Sequence, residues 1–256
     1  MAGKAIWKGN IHFGAVNISV SLHTAVREER IQFHLLHKRD HVRLRQQMVC
    51  AYENKPAPAE EQTKGFEVED GRYIIVDPNE LEQADPENSR LIEVHEFVGK
   101  GQIDPVFIER VYYLEPDGPS KAYSTLAGAL SETDTEGICT WTMRKRSYLG
   151  ALQVRGGVIR LNTLRYEDEV IPVKSLGLQH IPVPEKELKI ASDLIIRLSA
   201  PFQPGRFENE HQIKLKSLID KKVRGEKIAV LRPRRTKPTE PDKLLQALEA
   251  SLKKVA

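Results

Sequence analysis

The run from Ile31 to Arg45, IQFHLLHKRDHVRLR, gathers four cations, Lys38, Arg39, Arg43 and Arg45, and three histidines, His34, His37 and His41. Ile31, Phe33 and Leu35 alternate with Gln32, His34 and Leu36, and Val42 and Leu44 alternate with His41, Arg43 and Arg45, the period of a strand. A strand rises about 3.3 Å per residue, which puts Arg43 and Arg45 on one face roughly 6.6 Å apart, close to the spacing of neighbouring phosphates on a nucleic-acid strand. Lys38 and Arg39 fall at the turn between the halves. A ribbon that is basic on one face and apolar on the other presents guanidinium forks and ammonium charges to a polyanion. The plainer alternative is a solvated sheet face. The histidines stand at odd and even offsets, which sends them to opposite faces, and no cysteine or acid completes a set; neither a metal nor another cofactor is expected.

A second basic cluster, Arg144, Lys145 and Arg146, lies between two strand-like runs. Consecutive positions on an extended chain cannot all face one way, so Arg144 and Arg146 are taken as the pair that reaches an anion, against a basic turn on the outside. Lys8 and Lys64 are further candidates. No carboxylate pair with a lysine at a strand-borne spacing, no glycine-rich phosphate loop and no Ser/His/Asp order is found, so the residues read as a binding factor rather than an enzyme. The enzyme alternative is a metal-dependent nuclease. An RNA-binding barrel is a third class, disfavoured because Phe33 is the one aromatic inside the ribbon available for stacking.

These residues need a body to hold them. With 256 residues and 40% apolar content the chain can build a packed core. No membrane-length apolar run and no apolar leader is present, and the default is a cytosolic protein. Cys50 and Cys139 form no framework. The net charge is +3, but the charges are segregated: Glu53 to Glu109 holds fifteen acids against five bases, and Lys221 to Lys237 eight bases against one acid. A protein that holds a polyanion on one face gains by keeping acids off it.

Short strand patterns fill the span from Ala5 to Tyr166. AIWKGNIHFGAVNISVSLHTA keeps a two-residue period across Gly14, where a bulge or sharp bend is expected. AYENKPAPAEEQTKG is a loop, FEVEDGRYIIV a hairpin turning at Asp70-Gly71, DPNELEQ a helical turn and LIEVHEFV a strand. Ser120 caps a helix to about Leu130 with Ala122, Leu126 and Leu130 on one stripe. ICTWTM, SYLGALQV and VIRLNTLRY are further strands. Regular short strands predict an antiparallel barrel or sandwich. Beyond Ile181, one helix begins at Pro184 with Leu188, Ala191, Ile195 and Leu198 as its stripe, and a second runs from Phe207 to Arg224 with Leu215, Leu218 and Ile219 inward. Such stripes need cover, which a second copy of the chain can give. LRPRRTKPTEP is a basic, proline-rich linker. Asp242 then caps a segment with Leu244, Leu245, Leu248 and Leu252 on one side, expected to dock on a partner because a short isolated helix is marginal in water.

Taken together, AIWKGNIHFGAVNISV, KGFEVEDGRYIIV, IDPVFIERVYYLEPDG, KAYSTLAGAL, TLRYEDEV and the terminal LLQALEASL resemble, in order and over nearly the whole chain, the bacterial Ku proteins. The resemblance implies a mainly β fold with appended helices: a core over residues 1–180, a barrel of about seven strands with an extended bridge over about 30–75 that encircles DNA. A helical arm at 181–225, a basic linker at 226–241 and a partner-binding tail at 242–256 follow. It also implies a homodimeric ring that binds double-stranded DNA ends without reading their sequence, in contact with the bacterial nucleoid. The ring would recruit an ATP-dependent end-joining ligase, a role that falls on Leu244, Leu245, Leu248 and Leu252. Lys38, Arg39, Arg43 and Arg45 fall where the bridge should be; the charge run from Lys221 to Lys237 separately offers an electrostatic hold on flanking DNA. Several relatives carry a CxxC after the bridge strand; here Cys50-Ala-Tyr-Glu stands in its place.

Overall fold

A computed structural model describes residues 4–86, 89–179, 181–225 and 244–255. The expected cap at Asp242 and the basic linker at 226–241 lie outside them. The chain divides into two units, Met1–Glu28 with His34–Val173, and Glu29–Phe33 with Lys174–Ala256.

In the first unit, β1 (Trp7–Phe13) and β2 (Val16–Thr24) form a hairpin in which Phe13 pairs with Val16. Gly14 has φ 56°, and of the expected bulge or sharp bend it is the bend, tightened into the turn that reverses the chain. After β2 comes a long excursion containing β3 (Lys64–Glu69), β4 (Arg72–Val76) and the short α1 (Pro78–Gln83). The hairpin turns at Asp70-Gly71 as read from sequence, and Asp77 caps α1 with a reciprocal bond from Glu80. The chain returns as β5 (Leu91–Gly99) and continues through β6 (Ile108–Pro116), α2 (Lys121–Glu132), β7 (Thr135–Met143), β8 (Arg146–Arg155) and β9 (Val158–Leu164).

Seven of these strands close into a barrel in the order β1-β2-β6-β9-β8-β7-β5. The expected antiparallel pairing holds at every seam but one. β1 and β5 run parallel, Asn10 opposite Leu91 and His12 opposite Glu93, since β2 and then the long excursion separate them along the chain. Gly9 permits this closure: a Cβ there would run into the Trp7 indole and the Arg90 carbonyl.

Alternation sends Ile18, Val20 and Leu22 of β2 and Ile159 and Leu161 of β9 into the interior, where they meet Ile11, Ile92, Leu114, Trp141 and Leu152. Burying each such aliphatic side chain contributes about 1.5–3 kcal/mol. α2, capped by Ser120, adds Tyr123, Leu126, Ala127 and Leu130 to the same core.

In the second unit, α3 (Glu185–Leu198) follows Pro184, and α4 (Glu210–Val223) starts three residues later than expected because Asn209 supplies the cap, accepting from the Gln212 N–H at 3.1 Å. α5 (Leu244–Val255) packs on α3. This pairing revises the expected stripe. On α3 the half-buried apolar positions are Ile190, Ala191 and Leu194, while Leu188, Ile195 and Leu198 stay bare at 59%, 67% and 60% exposure. No described helix is long and apolar enough to cross a membrane.

Candidate nucleic-acid interface

The excursion between β2 and β5 is ordered but has no core of its own: no described residue from 26 to 86 is buried. Its first part is the basic ribbon. Leu35 to Leu44 folds back on itself through the His37 N–H to the Val42 carbonyl at 2.8 Å and the Leu44 N–H to the Leu35 carbonyl at 2.9 Å, with Leu36 opposite Arg43. Asp40 shapes the turn, accepting from the Val42 N–H at 3.1 Å and pairing with His37 Nδ1 at 2.9 Å, while His41 takes φ 58°. Strand pairing stops there. The half from Ile31 to His34, expected as strand, pairs with no strand among the described residues and belongs in part to the other unit.

Lys38, Arg39, Arg43 and Arg45 are all exposed and have no ion pair among the described residues. Lys64 opens β3 opposite Val76 and is likewise exposed. The excursion's other cations are more often engaged: Lys55 faces Glu53 at 3.5 Å and Arg72 faces Glu69 at 3.9 Å. Cys50 is exposed, and the N–H groups of Glu53 and Tyr52 hold its thiol below the ordinary range.

A second basic region lies at the barrel rim from which the excursion leaves. Following the pairings around the barrel, β1, β5, β6 and β8 begin at this rim and β2, β7 and β9 end there. Lys8, Arg90 and Arg144 line one cavity of about 400 Å³ with Trp7, Thr142 and Met143. Lys8 Nζ also reaches Asp117 at 3.4 Å, which leaves it less available than Arg144 and Arg146. Arg144 and Arg146 line a second, polar cavity of about 570 Å³ together with Arg110, Arg165 and three tyrosines.

Met143 pairs with Arg146, so Arg144-Lys145 is a two-residue hairpin turn, not the extended stretch the sequence suggested. Both turn residues have positive φ, 52° and 62°, a conformation suited to Asn-Gly and costing other side chains about 1–3 kcal/mol each. Lys145 turns away to Asp85 at 2.8 Å and Glu82 at 3.2 Å, which hold its ammonium pKa above the ordinary value. Arg144 and Arg146 keep no side-chain partner among the described residues, and it is this turn, not the alternation of an extended chain, that separates them from Lys145.

The structure therefore brings Lys8, Arg144 and Arg146 to one rim and places Lys38, Arg39, Arg43, Arg45 and Lys64 on the excursion. Arg90, Arg110 and Arg165 were missed. Each stands at the rim end of a strand, a signal that appears only once the strand order is known. Leu244, Leu245, Leu248 and Leu252 all lie on α5. Leu245, Leu248 and Leu252 are half-buried, as befits a helix packed on α3, and Leu244 is 43% exposed.

Comparison with known proteins follows the same lines. Residues 12–192 match the Ku family described as the Ku70/Ku80 beta-barrel domain. Non-homologous end joining protein Ku 2 of Geotalea uraniireducens is 71% identical over 256 residues, covering 100% of both chains. Non-homologous end joining protein Ku of Heliobacterium modesticaldum is 38% identical, covering 100% of this chain and 93% of its own. Protein Ku of Mycobacterium phage Omega is 34% identical over 98% of this chain and 86% of its own.

Proposed function

This chain belongs to the Ku family, and from that premise we propose that it acts in non-homologous end joining as a homodimeric ring around the ends of double-stranded DNA. The observation that carries the reading is the coreless excursion. It holds defined hairpins while exposing Phe33 at 69%, Tyr52 at 96% and Ile75 at 69%, and its ribbon cations have no intrachain partner among the described residues. Apolar positions of that kind call for a protein partner, and unpaired forks call for phosphate. A second copy supplies the missing cover, and the bare α3 face of Leu188, Ile195 and Leu198 asks for the same.

Contacts to phosphate and sugar position a duplex without reading its bases, which suits a factor that must accept any broken end. Lys38, Arg39, Arg43 and Arg45 make those contacts, with Lys64, Lys8, Arg144 and Arg146 extending the track. The role is binding and recruitment, with no bond made or broken. α5 hands the end to an ATP-dependent ligase, and since Leu245, Leu248 and Leu252 share their face with α3, engagement by these leucines requires α5 to leave it.

Salt dependence tests the interface. Each phosphate contact contributes about 0.9 to the slope of log affinity against log salt concentration. Replacing Arg43→Ala in a dimer removes two such contacts, so the slope falls by about 2. An unchanged slope removes Arg43 from the interface, and a fall of about 1 contradicts the two-copy ring.

A further inference from the structure

The polar cavity at the barrel rim has a shape that duplex tracking does not explain. Phosphates within a duplex lie on a convex cylinder, which a groove follows; a cavity of about 570 Å³ instead accepts a group that projects, and its size is that of a small-ligand pocket. Its chemistry is anionic recognition. Two of its acids are already engaged, Glu109 with Arg110 Nε at 3.5 Å and Glu169 with the Tyr166 N–H at 2.8 Å. Arg165 is anchored, Nη1 donating to the carbonyls of Val106 and Ile108 at 2.8 Å each, and Arg110 faces Glu109. Arg144 and Arg146 are left with their forks unspent among the described residues, Arg144 on a turn whose backbone favours glycine and Arg146 at the start of β8. Beneath them Tyr148 stacks on Trp141 at 5.0 Å and Tyr112 meets the same indole edge-on at 6.1 Å, a rigid aromatic floor.

A phosphodiester carries one negative charge; a phosphomonoester carries about 1.5 to 2 and three terminal oxygens. Two free guanidinium forks match the second better. We propose that this cavity binds a phosphomonoester borne on a nucleoside, either a free mononucleotide or the phosphorylated terminus of a nucleic-acid strand. Arg144 and Arg146 hold the phosphate, Arg110 and Arg165 fix its surroundings, and the tyrosine floor supports the nucleoside. Only the strand-terminus source rests on the DNA-end reading.

The test titrates the full chain calorimetrically with deoxyadenosine monophosphate and with deoxyadenosine. It then compares a hairpin duplex with one open end, with and without its 5′-phosphate. Two variants accompany it, Arg146→Ala and Arg144→Gly, the second keeping the turn's positive φ. The monophosphate is expected to bind at least ~10-fold more tightly than the nucleoside, with both variants erasing the difference. A 5′-phosphate preference on the hairpin assigns the strand terminus as a source, and its absence alongside monophosphate binding assigns the free nucleotide; either supports the cavity. No preference in either arm overturns it, as does a preference that survives both variants. In those cases retained binding of the unphosphorylated hairpin shows that the DNA-end reading stands independently.

Discussion

Tyr123 ties three elements together with one oxygen. Its hydroxyl donates to the Leu114 carbonyl of β6 at 2.6 Å and accepts from the Ile159 N–H of β9 at 2.9 Å, while Ser120 caps the helix that carries it. Burial, the larger influence, pushes the phenol's pKa above the ordinary value, so it stays a neutral donor. Tyr123→Phe keeps the ring and strands two buried backbone groups, and is expected to lower the unfolding free energy in urea by about 1–3 kcal/mol. A loss under about 0.5 kcal/mol contradicts that role. Nothing in KAYSTLAGAL marks the hydroxyl; the sequence shows an aromatic on a helix, and only the barrel's closure reveals what its oxygen meets. The cysteines divide the same way. Both look alike in sequence, yet burial pushes the Cys139 thiol to about 12 while Cys50 lies open. The ribbon cations were legible because alternation and charge share one short stretch, whereas Arg90, Arg110 and Arg165 are scattered along the chain and meet only at the rim.

At the scale of elements, patterning carried far because alternation and capping are local. Asp70-Gly71, Ser120 and Pro184 mark real boundaries. Closure was less legible: nothing near Gly14 separates a bulge from a reversal, and the parallel β1–β5 seam joins strands brought together only by the excursion. The apolar stripe of α3 was misjudged because the helix has two apolar faces, and α5 takes one of them. That packing bears on the tail. Ending the chain after Pro241 removes α5 and should leave DNA affinity unchanged while abolishing stimulation of the ligase in a two-component joining assay. Full stimulation by the shortened chain would remove α5 from recruitment, and a loss of DNA affinity would make it part of the DNA interface.

For the whole molecule, the decisive contrast is between a barrel that fills its own interior and an excursion that leaves its apolar side chains wet. The barrel packs Ile11, Leu22, Leu114 and Leu161 into one buried interior. Residues 26 to 86 serve no such core, and their order makes sense as a surface kept for another molecule. In the ring proposed above, two copies would turn that surface inward toward the duplex, and such a closed ring could be entered only from a free end. The direct test is a gel-shift comparison of linear and covalently closed circular DNA of equal length at matched salt. The account predicts stable complexes on the linear form and none on the circle; equal capture of both would contradict it.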